Sequence, residues 1–213
     1  MYPAGNLLIP IQHGQLEGIL KEPRTPAKGV ALVLHPHPLG GGTMHNKVVF
    51  RAAAALNDAG LTCLRINFRG VGQSSGTHDF GKGELDDVRA GLDYLAEHYP
   101  NQSITVCGFS FGALMGLEVG CEDDRVTRLI SIGTPLSKYG FGFLTKCGKP
   151  LLFVHGELDE FGDINAVRKL VDQLRQRTSA ELVVVRDAGH FFDNSLDQLK
   201  SAITQWVTAS VNR

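Results

Sequence analysis

The sequence predicts an α/β fold: a mostly parallel sheet with helices on both faces. Two observations carry that expectation. Short, unbroken apolar runs such as residues 29–35 (GVALVLH) and 150–155 read as strands covered on both sides. Between these runs lie segments whose apolar residues recur at helical spacing, and strands alternating with helices are the pattern of a parallel sheet.

Taken in order, residues 6–12 and 16–22 read as two strands joined at His13-Gly14, an antiparallel hairpin. The strand at 29–35 runs into a loop, 36–43, and then a helix at 47–59 with Val48, Ala52, Ala55 and Leu56 along one stripe. Residues 61–68 form the next strand. A glycine-rich loop follows, in which Gly81 and Gly83 argue against an immediate helix. The helix is expected at 84–98, with Leu85, Val88, Leu92 and Leu95 as its apolar face and Glu84, Asp86 and Asp87 at its N-terminal end.

Residues 103–117 (SITVCGFSFGALMGL) pass from a β-branched strand through Gly-Phe-Ser-Phe-Gly into helix formers. Strands at 129–133 and 150–155, a helix at 163–176, a strand at 181–185 and a helix at 196–211 complete the chain. Residues 133–149 are too few for a helical cap domain, so any site at that edge should be open or only lightly covered. With 213 residues and no low-complexity linker, residues 1–213 read as one domain.

Composition narrows the function classes. A hydrophobic content of 43% with 20% charged residues is that of an ordinary globular protein. The formal charge of −1, without a Lys/Arg cluster, makes nucleic acid and anionic membrane poor partners. The first residues, MYPAGNLLIPIQ, lack the basic region and apolar core of a signal peptide, and no run approaches the roughly 20 apolar residues of a membrane span. Cys63, Cys107, Cys121 and Cys147 show no CxxC spacing, and two of them sit inside apolar strands. Reduced thiols and a cytoplasmic location are the expectation.

The chemistry centres on Ser110. A serine wedged between two glycines at a strand-to-helix turn projects its hydroxyl from the turn, and the next amide, that of Phe111, lies near a helix N-terminus that favours negative charge. The same pattern recurs at residues 72–76, but Ser74 stands beyond its strand and is followed by Thr-His-Asp, so it reads as a loop serine. A serine hydroxyl needs a base and a group that orients the base. His190 lies in the loop between the last strand and the last helix, where an imidazole can reach the turn. For the acid, Glu157, Asp159 and Glu160 all follow the strand at 150–155. Asp159 is the choice, with the glutamates facing solvent or bracing the loop. The order Ser, Asp, His is that of the nucleophile-elbow enzymes.

A second oxyanion donor should come from residues 35–42, HPHPLGGG. Pro36 and Pro38 have no N–H, which leaves His37 or Leu39 and beyond; the His37 amide is preferred. Two competing readings are weak. Residues 70–76 mimic a dinucleotide loop but no helix follows at once, and the simpler reading is a tight turn braced by Arg69. His35, His37 and His45 lack metal-ligand spacing. His35 reads as a strand cap and His37 as lining the pocket entrance. Phe141, Phe143, Phe191 and Phe192 read as core or pocket wall. No cofactor or metal is expected.

Across nearly its whole length the chain resembles the α/β-hydrolase superfamily, and more narrowly the small, lid-less bacterial hydrolases related to dienelactone-hydrolase-like proteins. HPHPLGGGTMHNKVV (35–49), NFRGVGQSSG (67–76), GFSFG (108–112), HGELD (155–159) and AGHFF (188–192) carry the likeness. It implies an eight-stranded sheet and acyl-transfer chemistry on Ser110, Asp159 and His190. Pro36 and His37 depart from the commoner His-Gly-Gly-Gly form. The expected activity is carboxylesterase action on small short-chain esters. Thioester, lactone or peptide hydrolysis, or a catalytically idle fold, are the alternatives. A homodimer is compatible with the sequence.

Overall fold

A computed structural model describes residues 5–12 and 14–211, with side chains described through 209. The predicted hairpin junction at His13 lies outside the described residues. Its two strands are β1 (Asn6–Ile11) and β2 (Gly14–Lys21), paired antiparallel. Then follow β3 (Val30–Leu34), α1 (Lys47–Asp58), β4 (Thr62–Ile66), α2 (Lys82–His98), β5 (Ile104–Phe109) and α3 (Phe111–Glu122). The chain continues through β6 (Val126–Ile132), β7 (Leu151–Gly156), α4 (Ile164–Leu174), β8 (Ala180–Val185) and α5 (Leu196–Val211).

The eight strands form one sheet in the order β1-β2-β4-β3-β5-β6-β7-β8. Pairing is antiparallel from β1 to β2 and from β2 to β4, and parallel from there to β8. The alternation of side chains along each strand splits the core in two. Leu32 and Leu34 face α2 and α3, with Val88, Leu92, Phe111 and Leu114, while Ala31 and Val33 face α1 and α5, with Val48, Ala52, Ile203 and Val207. Because both faces are covered, the central strands are buried at every position and mostly apolar, which is the signal the sequence carried. α3 is buried nearly all round, as befits a helix packed beneath the middle of the sheet.

One expectation about local structure fails. α2 starts at Lys82, two residues earlier than predicted, despite Gly81 and Gly83. Gly81 adopts a left-handed φ of 94° as N-cap, and the fully buried Glu84 carboxylate accepts the N–H groups of Asp79 and Gly81, both at 2.8 Å. That cap outweighs the low helix propensity of glycine. Between β6 and β7 the chain forms only one 3₁₀ turn (Gly142–Lys146), so no helical layer covers that edge. Among the described residues, no helix is long and apolar enough to cross a membrane.

Candidate active site

Every predicted site residue follows the C-terminal end of a strand in the parallel part of the sheet. Ser110 comes directly after β5, the His37 loop after β3, Asp159 after β7 and His190 after β8. In open α/β sheets this edge is where ligands bind.

The turn at Ser110 is strained. Ser110 has φ 56° and ψ −117°, a region that non-glycine residues rarely occupy. The surrounding packing holds it there. Its N–H donates to Ile132 O at 2.9 Å, which extends the β5–β6 ladder into the turn, and its carbonyl accepts the first α3 N–H groups, from Ala113 and Leu114. The two flanking glycines are a steric requirement. A Cβ on Gly108 would stand 2.1 Å from Gly112 O, and one on Gly112 would stand 2.5 Å from His35 O and 2.6 Å from Leu34 O.

Ser110 Oγ lies 2.9 Å from His190 Nε2, and His190 Nδ1 lies 2.8 and 3.0 Å from the two carboxylate oxygens of Asp159. An ionised carboxylate only accepts, so Nδ1 carries the proton and Nε2 is left to accept the serine hydroxyl. Both partners are buried; Asp159 is 6% exposed and His190 3%. Further bonds hold them. The Phe161 N–H donates to Asp159 Oδ1 at 2.8 Å, and the His190 N–H donates to Glu160 Oε2 at 3.2 Å. Glu157 accepts the Asp187 N–H at 3.3 Å. Of the three acids, Asp159 alone reaches the imidazole, while the two glutamates pin the backbone of the loop that presents it. The imidazole is walled by Phe109, Phe161 and Phe191, with ring centroids 4.6 to 5.3 Å away.

His155 is a second buried histidine beside Asp159. Its Nε2–H donates to Gly162 O at 2.7 Å and its Nδ1 accepts the Thr134 N–H at 3.2 Å. Nε2 also lies 3.7 Å from Asp159 Oδ2. Burial lowers its pKa, so it stays neutral and ties the β6–α4 region around the acid.

On the other side of Ser110, the His37 carbonyl accepts the Gly40 and Gly42 N–H groups and the His37 ring accepts the Leu39 N–H at 3.2 Å. Among the described residues, neither the His37 N–H nor the Phe111 N–H has an acceptor in the protein. Two unsatisfied donors beside a nucleophile suit a developing oxyanion. His35, fully buried, is a strut between strand ends. Its Nδ1–H donates to Pro36 O at 2.6 Å and its Nε2 accepts the Phe68 N–H at 3.0 Å. Burial pushes its pKa down to about 4.

Two residues behind this loop were missed by sequence reasoning. His78 packs on His37, 4.8 Å between ring centroids, and its Nδ1 lies 2.8 Å from Glu84 Oε1 without hydrogen-bond alignment. Burial, with His78 as the next cause, lowers the pKa of His37. The sequence places Glu84 at a helix start, and no local signal marks it as buried. Ser74 has a structural placement. Its hydroxyl donates to Asn67 O at 2.7 Å and accepts the Glu17 N–H at 2.9 Å, locking the 69–81 loop onto β2. Arg69 braces the same loop through a paired contact with Asp87, Nε to Oδ1 at 3.1 Å and a terminal nitrogen to Oδ1 at 2.9 Å.

Phe141 and Phe192 are core residues and Phe143 packs against the core, whereas Phe191 is partly exposed beside His190. Five large hydrophobic side chains are exposed among the described residues, and Leu39, Phe80, Leu158 and Phe191 all stand on loops following β3, β4, β7 and β8. They give the site an apolar rim. The aromatic rings of His37, His78, Phe111 and Tyr139 continue it inward.

Comparison with known proteins agrees with this geometry. A family profile described as the alpha/beta hydrolase fold matches residues 31–146. An uncharacterized protein of Rickettsia prowazekii, RP471, is 38% identical over 201 residues, spanning 91% of this chain and 84% of that protein. Among solved structures, an alpha-beta serine hydrolase homologue from Coxiella burnetii is 38% identical with a TM-score of 0.89, covering 96% of this chain and 98% of that one. XC6422 from Xanthomonas campestris, described as an a/b serine hydrolase without lid, is 34% identical with a TM-score of 0.88 over 99% and 97% of the two chains.

Proposed function

This chain belongs to the alpha/beta-hydrolase family, as a small member without a lid, and on that premise we propose that it is a serine carboxylesterase acting on small, short-chain esters. The observation that carries the reading is the unbroken line of hydrogen-bond distances from Ser110 Oγ through His190 to Asp159, at 2.9 and 2.8 Å, set on a strained turn.

Ser110 attacks the ester carbonyl while His190 Nε2 takes the hydroxyl proton. Asp159 holds the imidazole in the right tautomer and stabilises its charged form. The Phe111 and His37 N–H groups receive the oxyanion, a contribution of about 3 kcal/mol per donor in comparable enzymes. His190 then protonates the departing alcohol and the acyl group remains on Ser110. Water, deprotonated by the same imidazole, releases the carboxylic acid and restores the serine.

The short-chain preference rests on the absence of any helical layer between β6 and β7 and on the shallow apolar rim. Each methylene buried in a tunnel would add roughly 0.8 kcal/mol, whereas an open rim stops contributing once the chain passes it. Hydrolysis of p-nitrophenyl esters of rising acyl length tests this. kcat/KM should peak at short acyl groups and fall beyond them, and a profile rising into long chains would sink the short-chain reading. The four cysteines stand as free thiols, which supports a reducing, cytoplasmic setting.

A further inference from the structure

A cavity that shares no lining residue with the Ser110 site lies along the N-terminal ends of the parallel strands. It is a groove of about 1160 Å³ between the first residues of β5 to β8 and one face of α5, from Asp197 to Ala209. Lys28, Arg128, Leu152, Val183, Gln205 and Trp206 are among its lining residues.

Arg128 is the anomaly there. It sits on β6 with only 7% of its surface exposed. Its one hydrogen bond runs from Nε to Thr105 Oγ1 at 2.9 Å, and no carboxylate lies within ion-pair distance among the described residues. Burial depresses its pKa with no acid opposing the effect. Arginine stays charged in proteins, and a buried charge without a partner is costly, so such groups are ordinarily paired. Because Nε is occupied, the outer edge of the guanidinium, with its two terminal nitrogens, is left toward the groove. That edge matches a carboxylate in two parallel hydrogen bonds.

The rest of the groove narrows the ligand. Two acids share it: Glu181 accepts the Trp206 indole N–H at 3.1 Å, and Asp197 pairs with Arg51 at 3.3 Å. With Lys28 and Arg128 they leave the groove near neutrality, which suits a monoanion and disfavours a doubly charged phosphate. Leu152, Val183 and the indole of Trp206 supply an apolar floor.

We propose that this groove is a binding site for a small organic monocarboxylate, its carboxylate on the Arg128 guanidinium and its apolar body on Trp206, Leu152 and Val183. The site is independent of the hydrolase reading, since it shares no residue with the Ser110 edge.

Trp206 is the only tryptophan of the chain, so its fluorescence reports on the groove directly. The full chain is titrated with sodium cyclohexanecarboxylate at constant ionic strength. Inorganic phosphate and neutral cyclohexylmethanol are titrated in parallel. The expected result is a saturable change with the carboxylate and much weaker responses to the other two. Arg128→Gln, checked for unchanged far-UV circular dichroism, should weaken carboxylate binding by roughly 10-fold or more, the usual worth of a hydrogen bond to a charged group. Arg128→Lys keeps the charge but loses the fork, and should also bind more weakly. It replaces Arg128→Gln if that variant does not fold. No saturation in the wild type, equal affinity for the neutral alcohol, tighter binding of phosphate, or unchanged affinity in the folded variant would each overturn the proposal.

Discussion

Adding one methyl group at Gly112 should separate the geometry of the turn from the stability of the fold. A Cβ there would stand 2.5 Å from His35 O and 2.6 Å from Leu34 O, both backbone atoms of the strand end that leads into the His37 loop. Ordinary contact begins near 3.4 Å, so the start of α3 must retreat by about 0.9 Å, the gap between 2.5 and 3.4 Å. Ser110 lies two residues away on the same rigid turn, and its 2.9 Å bond to His190 Nε2 cannot survive a shift of that size. A misplacement of about 1 Å costs on the order of 100-fold in rate, so kcat for a short-chain p-nitrophenyl ester should fall by about that factor in Gly112→Ala. Gly116→Ala is the control. Its Cβ would meet only the side-chain tips Leu34 Cδ1 and Val106 Cγ1, both at 2.8 Å, one turn further along α3. Overpacking of that kind costs roughly 1–3 kcal/mol of stability, read as a lowered denaturation midpoint, with kcat nearly unchanged. Equal kcat in Gly112→Ala and wild type would refute the argument that close backbone approach fixes the nucleophile.

Three further outcomes follow from the geometry. Asp159→Asn should lose about 10⁴-fold in kcat while remaining folded, because an amide favours the wrong imidazole tautomer. Glu157→Gln and Glu160→Gln keep an acceptor oxygen for the Asp187 and His190 N–H groups and should stay near wild type; a crippled Glu157→Gln would move the acid. Stability should also fall in acid. His35 has its pKa lowered from 6.5 to about 4, so its neutral form is favoured in the fold. The stabilisation is full above pH 6.5 and is lost as pH falls toward 4, by about 3 kcal/mol for a shift of that size, with His155 contributing in the same direction. Urea midpoints across that range check the trend, and ring-carbon NMR signals of His35 titrating near 6.5 would contradict it.

The architecture was legible because its signals are local. A strand buried on both faces is mostly apolar, and residues 30–34, 104–109 and 151–156 are buried at every position in the structure. The turn at Ser110 was legible for the same reason, since strand, glycines and helix all lie within fifteen residues of one another. What escaped notice involves partners distant in sequence. Glu84 and His78 press on a ring more than forty residues upstream, and the Ser74 hydroxyl meets the Glu17 N–H 57 residues away. Arg128 falls just before the strand expected at 129–133 and beside the exposed Thr127, so no local signal marks it as buried. The early start of α2 was hidden because the cap depends on a buried carboxylate reaching back over two glycines, whose low propensity dominates any local reading.

Covalent labelling tests the central assignment most directly, because it reads the nucleophile without requiring the natural substrate. The intact chain is treated with a fluorophosphonate and the modified residue located by peptide mass spectrometry. Ser110 should carry a single phosphonyl group, Ser110→Ala should carry none, and Ser74→Ala should label at the wild-type rate, since the Ser74 hydroxyl is bonded on both sides to backbone. Label on Ser74, or full labelling of Ser110→Ala, would contradict the account, as would an unreactive Ser110 in the folded protein.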